Sequence, residues 1–296
     1  MFRALNRQSD NRNSVDRQAV GGYLLVAVAV LYAVTLHGRT GLDVWNVWQE
    51  SPATSHGMLI PLLVVYLVAL RRRPDDPPMP IPSSVGVALM IVAEGLRHLA
   101  DIDSDLFIRS LAAATASAAV IVLLIGPSAS ARSVGPILLL LLAVPLPTGF
   151  IEIVTAPLQG LATSAGTVLL VLIGQPAIEG EYTIYIGATS VLVDPECSGL
   201  SMVTGLMTVH AFVACSSTFR MRTKAFIIVL SVPMALVANV FRVAATALVI
   251  VYGSRPLAAK FHDAAGWLMM PFALACLYGV IALVDRLKRT EPAVAS

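Results

Sequence analysis

Residues 225–251 read AFIIVLSVPMALVANVFRVAATALVIV, an apolar stretch whose only charge is Arg242. As a helix rising 1.5 Å per residue, it is longer than the roughly 30 Å hydrocarbon core of a bilayer. Its apolar residues come as one block rather than in alternation, so it reads as a membrane-spanning helix. The rest of the chain is of the same kind. Of 296 residues, 57% are hydrophobic and only 13% are charged, about half the charged share of soluble globular proteins. A water-soluble enzyme and a disordered chain are both excluded.

The same ruler marks further spans at Ala19–Leu36, Gly57–Leu70, Val85–Leu99, Leu106–Ile125, Val134–Phe150, Gly199–Cys215 and Ala265–Val284. One stretch, 151–173, is ambiguous. It is apolar enough to cross, yet it carries Glu152, Thr155, Pro157, Gln159, Gly160, Thr163 and Ser164. Basic residues flanking spans favour the cytoplasm, and that bias arbitrates. Arg3, Arg7, Arg12 and Arg17 place the tail 1–18 inside. No A-x-A site follows the first span, which therefore reads as an uncleaved anchor. If 151–173 lies on the membrane, then Arg71–Arg73, Arg132, Arg220, Arg222, Lys224, Arg286, Lys288 and Arg289 all fall inside. If it crosses, both C-terminal basic clusters land outside. The sequence therefore predicts one all-α integral-membrane domain over 1–296, with eight transmembrane helices and an interfacial or re-entrant helix. The segment 151–196 is expected on the outer face. Within it, Tyr182–Ile186 and Thr189–Val193 are β-branched and aromatic runs around Gly187-Ala188, the pattern of a small β-hairpin.

Three cysteines lack metal-ligand or paired spacing, so neither a zinc site nor a disulfide framework is expected. Cys215 and Cys276 read as small apolar fill. Cys197, in Pro195-Glu-Cys197-Ser198-Gly199, is different. It stands at the start of a membrane helix, where free N–H groups and the helix dipole favour a thiolate. Ser198 and Gly199 let a substrate approach the backbone. Arg242 is costly inside a span, at about 2.5–3.5 kcal/mol on insertion scales, and is a functional candidate by default. Asn239, three residues earlier, shares its helix face. His262 lies just before the last span and titrates near neutral pH; Asp263 either orients its ring or is merely solvated. The predicted topology brings Cys197, Arg242 and His262 to one membrane face. A thiolate to attack a carbonyl, an imidazole to carry the proton and a fixed cation for the oxyanion suit acyl transfer through a thioester. His56 is a rival histidine. His210 reads as bonding a neighbouring helix. Glu94, Arg97 and His98 read as a structural charge cluster, with Arg109 as a possible partner. The competing readings are a small-molecule transporter or lipid-linked-sugar flippase and a non-catalytic membrane scaffold. A transporter often shows repeated halves, and none stand out here.

These residues resemble the exosortase/archaeosortase family of membrane cysteine transpeptidases. The resemblance runs through Ser55-His-Gly-Met-Leu-Ile-Pro61 with Arg71–Arg73, Pro195-Glu-Cys-Ser-Gly-Leu200, Asn239-Val-Phe-Arg242, and Phe261-His262 with Gly266-Trp267, in the family's order. It implies Cys197 as nucleophile, with Arg242 and His262 as the conserved arginine and histidine. It also implies protein substrates ending in a short motif, often Pro-Glu-Pro, then a membrane helix and a basic tail. Such substrates are tied to exopolysaccharide export. Glu196 and Ser201 depart from the family's usual small residue and arginine, which bears on the subfamily and the signal motif. Neither a cofactor, a metal nor a nucleic acid is implied; the expected surroundings are the lipid bilayer and the substrate.

Overall fold

The structure, a computed structural model, describes residues 2–51, 53–76, 83–103 and 105–253; beyond these it describes 257, 260–261, 264, 271, 274–279 and 282. Packing divides the chain into two units, 1–147 with 211–218 and 148–210 with 219–296.

The first unit holds α1 (Phe2–Glu50), α2 (Ile60–Arg71), α3 (Ser84–Asp103), α4 (Leu106–Arg132) and α5 (Val134–Leu138). Asp105 caps α4, its carboxylate accepting from the Phe107 N–H at 2.8 Å, which satisfies one of the helix's orphan donors. At Gly126 the backbone leaves helical geometry, with φ +75°. The span expected to end at Ile125 does break there, and the helix then resumes to Arg132. α5 passes into a 3-10 turn over Leu139–Ala143. Pro145 and Pro147 follow, and neither supplies an N–H to continue a helix.

Guanidinium groups tie the helix ends of this unit together. Arg71 donates from Nη1 to the Arg132 carbonyl at 2.9 Å and from Nη2 to the Cys215 carbonyl at 2.6 Å. A cation is favoured there because unpaired carbonyls and the negative dipole end gather at a helix C-terminus. Arg132 in turn forks onto both carboxylate oxygens of Asp76.

The second unit holds α6 (Thr148–Leu172), strands β1 (Ala177–Glu179), β2 (Thr183–Ile186) and β3 (Thr189–Leu192), then α7 (Leu200–Ser216) and α8 (Met221–Tyr252); the last turns of α7 pack with the first unit. The strands form one antiparallel sheet in the order β1-β2-β3. The expected hairpin is present as β2 and β3. Its register pairs Ile186 with Thr189 and Ile184 with Val191 across Gly187-Ala188. Gly187 takes φ +59°, the left-handed conformation such a two-residue turn requires. β1 is a third strand that the sequence did not announce. Ile184, Ile186, Val191 and Val193 turn inward onto Ala162 and Leu170 of α6 and Val243, Ala244 and Ala247 of α8. α6 and α8 run in the same direction. Gly166 lies against Val243, where an added Cβ would come within 3.0 Å, and beyond the helix ends the Tyr252 hydroxyl donates to Gln175 at 2.6 Å.

The all-α membrane class holds, with one small sheet. Helix length and composition alone support a smaller number of crossings among the described residues than the eight expected. Among the described residues, five helices are long and apolar enough to cross: 20–50, 106–132, 148–172, 195–216 and 221–252. One of them contains the stretch expected to lie on the interface, because Pro157 sits inside α6 without ending it. The expected second and fifth spans form apolar helices of only 10–17 residues, short of the roughly 20 that a bilayer core takes. α3 is long enough but carries Glu94, Arg97 and Asp101. The expected last span, 265–284, lies largely outside the described residues.

Asp76 lies in the loop after α2, and its hydrogen bonds from Arg132 hold its carboxyl below the ordinary carboxylate range. A depressed folded-state pKa contributes stability that is present above the unfolded value and lost as pH falls through the folded one. Thermal unfolding of the detergent-solubilised protein should show Tm falling on acidification below the ordinary carboxylate pKa, about 3.9. Asp76→Asn should lower Tm near neutrality and flatten that acid limb. An unchanged acid limb in the variant would remove Asp76 as its source.

Candidate active site

The strand-to-helix link of the second unit builds the site. Val193 N–H donates to the Tyr182 carbonyl at 2.8 Å, and the Val193 carbonyl accepts from Gln159 Nε2 at 2.5 Å. The chain is thus pinned to β2 and to α6 just before the cysteine. Pro195–Cys197 then form a single 3-10 turn. Within it Cys197 N–H donates to the Asp194 carbonyl at 2.7 Å and Ser198 N–H to the Pro195 carbonyl at 3.1 Å. Gly199 swings to φ +95° and α7 begins at Leu200.

α8 closes on this turn. Asn239 is 1% exposed, and its Nδ2 donates to the Cys197 carbonyl at 2.8 Å. A Cβ on Gly199 would lie 3.0–3.2 Å from the Asn239 side chain. Only glycine offers both that clearance and an easy positive φ. Asn239 Oδ1 is buried with no hydrogen-bond partner among the described residues. One turn on, Arg242 is 6% exposed. Its charge is felt at the Cys197 sulfur, as are the carboxylates of Asp194 and Glu196. Cys197 is 6% and Ser198 2% exposed.

The structure therefore gathers Cys197, Ser198, Asn239 and Arg242. His262 and Asp263 lie outside the described residues. The thiol stands before the helix rather than at its first turn. The Cys197 and Ser198 N–H groups are spent inside the 3-10 turn, so the donors expected at a helix start are not theirs to give. The Arg242 guanidinium is the buried cation whose charge reaches the thiol.

Gln159 was missed as a positioning residue. The signal was legible as a polar stripe, Gln159, Thr163 and Thr167, on an otherwise apolar helix at a spacing of four. All three are buried, and the two threonine hydroxyls donate back to the carbonyls four residues earlier.

Other sequence candidates fall elsewhere. His210 is fully buried, and it bonds the Leu206 carbonyl of its own helix at 2.8 Å rather than a neighbouring helix. The Glu94 cluster is an ion-pair network, with Arg97 bridging Glu94 at 2.7 Å and Asp101 at 2.9 Å. Tyr32 donates to Glu94 as well. Arg109 stands nearest Asp43, at 3.5 Å, rather than the Glu94 group. His56 belongs to the first unit. Its Nε2 meets the Leu142 carbonyl at 3.1 Å, and burial pushes its pKa down. Cys276 is exposed rather than buried.

Fold and site together define a helical membrane protein in which the charge of a buried arginine on α8 reaches a buried cysteine. A model of the transmembrane exosortases (Exosortase_EpsH) matches residues 48–279. The chain belongs to that family, whose members are cysteine transpeptidases. No curated protein and no solved structure matches it significantly.

The Gly199 contact makes a direct prediction. Gly199→Ala forces a side chain into the left-handed region against Asn239, a strain of order 1–3 kcal/mol. Tm should drop by several degrees, and Asn239→Ala should relieve part of the loss. Full stability in Gly199→Ala would contradict the geometry.

Proposed function

We propose that this protein is a membrane-embedded cysteine peptidase and transpeptidase of the cell inner membrane, active on its outer side. It cuts a C-terminal sorting signal from exported proteins. The signal is a short motif of the Pro-Glu-Pro kind, followed by a membrane helix and a basic tail. The observation that carries the reading is the clamp on Cys197: its carbonyl is held by Asn239, one helical turn from Arg242. In this reading eight crossings keep the basic clusters inside, and the substrate's own basic tail stays there by the same charge bias.

The chemistry follows from the parts. Cys197 passes its thiol proton to His262, and the sulfur attacks the scissile carbonyl carbon, whose oxygen takes up negative charge. Arg242 stabilises that oxyanion, the role left to it once the Cys197 and Ser198 N–H groups are engaged in the turn. The C–N bond breaks as His262 delivers a proton to the leaving amine, the new N-terminus of the membrane helix. The exported part remains on Cys197 as a thioester until an amine (ligation) or water (hydrolysis) attacks it. Asn239 acts through Cys197 as a positioning residue, and its spare Oδ1 is an acceptor for a substrate N–H. Ser198 and Asp263 support the turn and the histidine.

The test is cleavage of a reporter domain fused to a Pro-Glu-Pro motif, an apolar helix and a basic tail, in membranes carrying each variant at equal abundance. Cys197→Ala should abolish cleavage. Arg242→Lys keeps the charge but loses the planar fork. It should lower kcat by about a hundredfold or more, the usual loss for an oxyanion donor. Undiminished cleavage by Cys197→Ala would end the reading, and unimpaired turnover by Arg242→Lys would end that role for the arginine.

A further inference from the structure

The sheet beside Cys197 has an edge that nothing described covers. In the β2–β3 hairpin, Ile186 with Thr189, Ile184 with Val191 and Tyr182 with Val193 are successive alternate pairs; the last carries the 2.8 Å bond from Val193 N–H. Antiparallel pairs alternate between those that exchange hydrogen bonds and those that do not. Ser190 and Leu192 are therefore of the second kind on β3. Their N–H and C=O groups point away from β2 to the open edge, where no hydrogen bond from a described residue meets them. Both residues are exposed, Leu192 at 62%. The inner face of the sheet is already filled by α6 and α8, so a partner reaching the backbone of β3 meets it at the edge.

An open edge recognises one thing by its chemistry, an extended backbone. This edge leads along one chain to the candidate nucleophile: β3 ends at Leu192, and the turn holding Cys197 begins at Pro195. Resting on the function proposed above, we infer that the exported segment of the substrate, just N-terminal to the scissile bond, docks as a fourth strand on β3. Ser190 and Leu192 supply its main-chain hydrogen bonds. The other side of the scissile bond is committed to a membrane helix and has no extended segment to offer. Strand addition fixes the substrate's register, because a shift of one residue turns every side chain to the opposite face. It thereby sets which carbonyl meets the sulfur.

The test places one backbone N-methyl group at a time over the five residues before the cleavage site of a synthetic peptide. The peptide carries the reporter's motif, apolar helix and basic tail, and is presented in detergent micelles to the full-length enzyme. Strand docking predicts that every second position raises KM, each by several-fold to about tenfold, the usual worth of one hydrogen bond, with intervening positions near neutral. Ser190→Pro and Leu192→Pro each remove an edge N–H without touching a bond to β2, and should raise KM while leaving kcat nearly unchanged. A scan without alternation, in an enzyme that cleaves the unmethylated peptide, overturns the docking and leaves the function standing. Failure to cleave the unmethylated peptide would instead count against the function. Proline variants that dissociate a dimer at unchanged KM would assign the edge to a second copy of this chain and overturn the docking as well.

Discussion

One hydrogen bond organises the site: Asn239 Nδ2–H to the carbonyl of Cys197, at 2.8 Å and out of contact with water. In an apolar interior an unmade bond of this kind costs about 1–3 kcal/mol. The turn before α7 and the middle of α8 are therefore held together wherever the second unit is folded. Gly199 lets the chain pass close enough for the bond to form. Arg242 follows on the same helix face one turn later, and its charge reaches the thiol.

The supports of that turn come from three directions. The sheet fixes Val193 from one side, Gln159 of α6 holds its carbonyl, and Asn239 of α8 holds the carbonyl of Cys197 itself. Two main-chain carbonyls four residues apart are thus each bonded by a buried side-chain amide. Neutral amides suit the setting, since they satisfy backbone acceptors without the cost of burying a charge. The sheet contributes rigidity as well as an edge. Its inward side chains pack on the same stretch of α8 that follows Arg242, so β3 and the arginine share one support.

Much of this was legible in the sequence, and the reasons differ by element. The hairpin was legible because β-branched runs around Gly187-Ala188 have few other uses. Asn239 and Arg242 were legible because polar groups three residues apart in an apolar span share a face. Cys197 was singled out for its place at a helix start, yet the helix starts three residues later and the Cys197 and Ser198 N–H groups are engaged in a turn. The stripe of Gln159, Thr163 and Thr167 was legible but not what Gln159 bonds, because only the chain folding back through Val193 gives it a partner. The span count is where charge bias and helix length disagree. Bias reports which loops translocate, whereas length and composition report which helices are able to cross. α6 passes the second criterion despite Pro157 and its polar stripe.

The measurement that bears most directly on the account is the intact mass of the enzyme during turnover of the reporter. The account predicts an adduct equal to the reporter's N-terminal part, mapped by peptide mass to Cys197 and released by neutral hydroxylamine, as a thioester requires. Steady cleavage with no adduct at Cys197, or with a hydroxylamine-stable adduct on another residue, would contradict it.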